Sequence, residues 1–110
     1  MVATSSELTQ EKIQQAIDVL LRGIPPKTEL HSTAIAAFKS GDYKQVKKLS
    51  LLHVSDKYLQ ALSYLGGALN PTNIASGNSY TILSESVRNF LLFDQEAWKA
   101  IETEFNAVIE

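Results

Sequence analysis

Residues 42–69 read DYKQVKKLSLLHVSDKYLQALSYLGGAL, and their pattern decides the fold. Tyr43, Val46, Leu49 and Leu52 recur at helical spacing, and Leu59, Leu62, Leu65 and Leu69 repeat the pattern after a break. Apolar residues three and four apart share one face of an α-helix, so each run predicts an amphipathic helix. Ser55 is the expected N-cap of the second helix, because its hydroxyl can accept an amide of the first turn. That register makes Val54 the N′ residue and Leu59 the N4 residue, a hydrophobic staple that sets the corner angle. Two apolar stripes meeting at a corner must bury themselves against each other or against neighbouring helices.

Outward from this corner the same signals repeat. Thr9 is the expected cap of a first helix whose stripe is Ile13, Ala16, Ile17, Leu20 and Leu21. Gly23 is read as a left-handed C′ residue, and Pro25 and Pro26 bar continuation. A second helix is expected from Thr28, with Leu30, Ala34, Ala37 and Phe38 on one face. Ser40 and Gly41 end it, and Asp42 with Gln45 suggests a capping box at the start of the third. Residues 70–79, NPTNIASGNS, are expected to be a loop anchored by Ile74. A fifth helix over residues 80–93 would bury Leu83, Val87, Phe90 and Leu91. Asp94 would cap a sixth, with Phe93 and Trp98 as a staple and Trp98, Ile101, Phe105, Val108 and Ile109 inward. No strand-period alternation of useful length appears. The expected fold is all-α: a compact bundle or orthogonal array of five or six short helices. Residues 1–7 are expected to be a flexible N-terminus, and residues 8–110 a single helical domain.

Composition narrows the function classes. A chain of 110 residues can bury roughly 65% of its unfolded surface, so it can fold without a metal or disulfide. It has no cysteine, which excludes disulfides and thiolate-bound metals. The net charge is −2 and the pI about 5.7, unlike a strongly phosphate-seeking protein. Residues 1–84 carry eight Lys/Arg against six Asp/Glu (+2), and residues 85–110 carry two against six (−4). The acidic C-terminal segment could dock a basic partner or answer the +3 of residues 39–57, which hold five lysines and two aspartates. No apolar run approaches the ~20 residues of a membrane span, and the N-terminus lacks the features of a secretory signal. A cytoplasmic protein is expected.

The portion QVKKLSLLHVSDKYLQAL, residues 45–62, resembles the helix-turn-helix motif of bacterial regulators, and LHVSDKYL is most similar to the second helix of AraC-type regulators. Leu52, Val54, Leu59 and Leu62 occupy four of its apolar places. The motif departs at Lys48, where an apolar residue is wanted, at Leu49, where a small one is wanted, and at His53, where glycine is common. The resemblance implies a DNA-binding regulator using residues 43–63. Its recognition helix would offer Lys57, Gln60 and Ser63, a set short of the Arg and Asn pairs that read bases. The segment AIAAFKSGDYKQVKKL, residues 34–49, also resembles one tetratricopeptide hairpin, without a second copy.

His31 and His53 are the natural acid–base candidates, yet neither lies in a catalytic motif, and His53 at a helix end suits a capping role. Gly66 and Gly67 each cost about 1 kcal/mol relative to alanine inside a helix, which points to the close approach of a packed helix or of a partner. The function expected from these residues is a non-enzymatic protein–protein interaction module, such as a small adaptor, regulator or assembly chaperone, with DNA binding as the alternative. The candidate contact residues for a partner protein or nucleic acid are Lys44, Lys47, Lys48, Lys57 and Gln60. No catalytic residue, metal or cofactor is expected. Another protein is the expected partner ahead of nucleic acid, and a homo-oligomer would let a small bundle complete its core.

Overall fold

The structure, a computed structural model, describes residues 8–110. The expected flexible terminus at residues 1–7 lies outside them. The described residues form seven helices and no strand: α1 Gln10–Gly23, α2 Glu29–Lys39, α3 Tyr43–Leu52, α4 Lys57–Ala68, α5 Pro71–Ser76, α6 Ser79–Phe93 and α7 Gln95–Ile109. Thr9, Thr28, Asp42 and Asp94 cap α1, α2, α3 and α7 through their side chains, as their positions predict. The extra helix, α5, falls in the stretch expected to be a loop. Asn70 accepts from the Thr72 amide at 2.9 Å, Pro71 stands at the helix start, and Gly77 (φ 82) closes it in the left-handed region. Asn, Pro and Gly mark loops, but in this order they also punctuate a short helix. Ile74 is partly buried against the core, as an anchor should be.

α4 is the central helix. It packs on α2, α3 and α6, and α1 pairs with α7. Tyr58, Leu59, Ala61, Leu62, Leu65 and Ala68 of α4 are fully buried, which spreads well beyond a single stripe. Two serines of α6 join it to this helix. Ser79 Oγ donates to the Ala68 carbonyl at 2.7 Å, and Ser86 Oγ donates to the Ala61 carbonyl at 2.8 Å. Both serines are buried, and small residues on both helices let the backbones approach closely enough for these bonds. Trp98 is buried, edge-on to Phe105 at 5.3 Å.

Three local expectations change. The N-cap of α4 is Asp56, not Ser55: its carboxylate accepts from the Tyr58 and Leu59 amides at 3.0 and 3.2 Å. A carboxylate at a helix N-terminus gains from the helix dipole as well as from the bonds, so it outcompetes the neighbouring hydroxyl. The helix therefore starts one residue late, the staple does not form, and Val54 is 69% exposed. Leu52 is likewise outside the core at 67% exposure. Gly23 is not left-handed. Among the described residues, those with positive φ are Gly41 and Gly77. A Cβ at Gly23 would collide with the Ile101 Cγ2 of α7, so glycine is there to let α1 and α7 touch. Finally, Phe93, expected only as the staple partner of Trp98, turns edge-on to Tyr58 at 4.9 Å and to His31 at 5.3 Å.

Candidate functional site

The outer face of α3 carries the unspent chemistry of the fold. Val46 and Ser50 face inward and are buried, and Leu49 is half-buried. Lys44, Lys47, Lys48, Leu51 and Leu52 occupy the opposite side at steps of three and four, one continuous stripe along the helix. The three lysines are exposed, and Leu51 is 64% exposed. These five residues line an open hollow of about 330 Å³. Lys44 and Lys47 also line a second hollow of about 370 Å³, whose other walls include Tyr43, Ser63, Gly66, Gly67 and Pro71. The two hollows thus follow one another along α3 and share a ridge of two lysines.

The expected contact residues separate on this geometry. Lys44, Lys47 and Lys48 stand together on the stripe. Lys57 is exposed in the first turn of α4, across the corner, and lines neither hollow. Gln60 is half-buried, and its amide donates to the Ser50 carbonyl at 2.7 Å and to the His53 carbonyl at 3.3 Å. Those bonds satisfy carbonyls at the end of α3, so Gln60 works as a strut of the corner.

The acidic C-terminal segment answers other cations than those of α3. Glu104 pairs with Arg22 at 2.6 Å, and Asp94 pairs with Lys27 at 3.3 Å. Among the described residues, no ion pair includes Lys39, Lys44, Lys47, Lys48 or Lys57. The backbone amide of Ala97, and then Lys27, hold the Asp94 carboxyl below its ordinary range, against an opposing effect of burial. Lys27 Nζ also sits 4.7 Å from the centroid of the Phe93 ring, a cation–π contact.

The residues that pattern reading missed are those around His31. This histidine is 3% exposed. Its Nδ1 accepts from the Lys27 amide at 3.2 Å, so the proton belongs on Nε2, which lies 2.8 and 3.0 Å from the Asp56 carboxylate oxygens. Both ring nitrogens are therefore committed, and the imidazole has no lone pair to offer a substrate. The ring stacks on Tyr58 at 4.6 Å, and Tyr58 Oη donates to the Ile24 carbonyl at 3.2 Å. Burial pushes the Tyr58 phenol well above its ordinary range. Asp beside Ser at a helix start was the one sequence signal for part of this cluster; nothing in the spacing links residues 31 and 56. His53 is exposed and ends α3 through its backbone amide, which donates to the Leu49 carbonyl at 3.1 Å. Comparison of the chain with protein-family models, with curated proteins and with solved structures finds no match. No helix among the described residues is long and apolar enough to cross a membrane.

Proposed function

We propose that the protein is a non-enzymatic interaction module of the cytoplasm, and that it meets its partner protein through the outer face of α3 and the α3–α4 corner. One observation carries this reading: Leu51, Leu52 and Val54 are 64%, 67% and 69% exposed beside three lysines that form no ion pair among the described residues. A fold that buries its other α3 face has left three large apolar side chains in water at one place. Contiguous exposed apolar surface rimmed by charge is the usual mark of a protein contact.

DNA binding by the corner draws support from the same lysines. It draws less from α4, whose N-terminus holds the Asp56 carboxylate and whose Gln60 amide is occupied. A carboxylate at the tip of a recognition helix repels phosphate rather than attracting it.

The test is affinity capture from the native lysate with wild type and a Leu51→Ser/Leu52→Ser variant, with and without nuclease. Proteins held by wild type, depleted in the variant and unaffected by nuclease are expected. Capture that nuclease abolishes would favour DNA binding, and identical protein sets for both forms would overturn the assignment of the surface.

A further inference from the structure

We infer that the partner segment is an acidic amphipathic helix, laid along α3 with its apolar residues on Leu51 and Leu52 at one end and over Gly66 and Gly67 at the other. This inference rests on the interaction-module reading and adds the partner's chemistry. The first support is charge. Lys44, Lys47 and Lys48 stand at i, i+3 and i+4 with no ion pair among the described residues, and Lys44 and Lys47 form the ridge between the two hollows. Carboxylates at three- and four-residue steps on a facing helix would meet them in register.

The second support is the glycine pair. Each glycine in the interior of α4 costs about 1 kcal/mol relative to alanine. Alanine fits at both without displacing a neighbour: a Cβ at Gly66 would lie 3.4 Å from Tyr43, and one at Gly67 would lie 3.4 Å from Ile82 of α6. Gly23, by contrast, is required by the collision with Ile101. Both Gly66 and Gly67 open onto the hollow that Lys44 and Lys47 border. The bare backbone at Gly66, beside Tyr43 on the wall of this hollow, allows a helix backbone to come close, and a methyl group there would hold it off.

The third support is length. The stripe from Lys44 to Leu52 spans about 12 Å, a little over two helical turns. A short amphipathic helix covers that distance, and helix-in-groove recognition uses anchors at this spacing. A second copy of this chain fits less well. The acidic helix α7 exposes mainly polar side chains and alanines, and Glu104 is already paired with Arg22.

The probe is a synthetic helical peptide of about four turns, with leucines on one face flanked by glutamates. It is titrated into isotopically labelled protein and followed by amide chemical shifts. Controls are the same peptide with lysine in place of glutamate, duplex DNA, and vesicles containing phosphatidylserine. Saturable shifts confined to residues 43–54 and 63–71 are expected for the acidic peptide. Binding should weaken about tenfold or more in Lys47→Glu/Lys48→Glu, and in Gly66→Ala/Gly67→Ala, whose fold is expected to remain intact. Equal shifts with the lysine peptide, unchanged affinity in both variants, or tighter binding of DNA or vesicles would overturn the inference. No peptide binding, with proteins still lost from capture by the leucine variant, would remove the acidic-helix partner but keep the surface. Failure of both would remove the surface as well.

Discussion

His31 Nε2 lies 2.8 Å from Asp56 Oδ2, and this contact ties the start of α2 to the start of α4. Asp56 does two things at once: it caps α4 and receives the buried imidazole. Removing His31 leaves a carboxylate without its buried donor, and removing Asp56 orphans both the ring N–H and two helix amides. His31→Ala and Asp56→Ala should each cost about 1–3 kcal/mol in urea unfolding. Because they share one interaction, the double variant should lose less than the sum, with a coupling of about 0.5–3 kcal/mol. Strict additivity would show that the contact contributes nothing.

Gly23→Ala should destabilise by about 1–3 kcal/mol, since the new methyl meets the branched end of Ile101 in a packed interface. Gly66→Ala, at ordinary distance from Tyr43, should be neutral or stabilising by up to about 1 kcal/mol. Thermal melts of the two variants check the contrast. The reverse order would mean that the glycines of α4, not that of α1, are held by internal packing.

Acid should weaken the fold partly through Asp94. Its carboxyl is held below its ordinary value of 3.8, first by the Ala97 amide and then by Lys27. A group with a lowered folded-state pKa favours folding above its unfolded pKa. That contribution is lost as pH falls through the folded value. Melting temperature should therefore drop as pH is taken below about 4, and Asp94→Asn should flatten part of that drop while lowering stability little in the acid limit. An unchanged acid slope in the variant would assign the pH dependence to other carboxylates.

Leu51→Ser/Leu52→Ser should change unfolding free energy by no more than about 0.5 kcal/mol per site, as exposed positions do. Leu59→Ala and Phe90→Ala, both fully buried, should each cost about 2–5 kcal/mol. A large loss in the serine variant would return Leu51 and Leu52 to the core and withdraw them from any partner.

The all-α fold was legible because helical periodicity and caps agree along most of the chain. Thr9, Thr28, Asp42 and Asp94 start helices where their types and spacing say they should. The corner was less legible because Ser55 and Asp56 are both capping residues, and choosing between them moves the frame by one residue. That shift moves Val54 out of the staple and exposes it. Tyr58, His31 and Ser86 were not readable as interior. Each carries a polar atom, and the partner that permits burial lies 25 or more residues away: Ile24 for Tyr58, Asp56 for His31 and Ala61 for Ser86. The stripe of lysines was visible in the sequence, but not that Leu51 and Leu52 complete it, since Leu52 also fits the inward stripe by spacing.

The most direct test of the α3 surface is photo-crosslinking in the native lysate from a benzophenone amino acid placed at Leu52, with the same group at Gln15 on the exposed side of α1 as the control. A discrete protein adduct from position 52, absent from position 15 and lost when Lys47→Glu/Lys48→Glu is added, is the expected result. No adduct at position 52, or the same adducts from both positions, would contradict the assignment of this face as the contact surface.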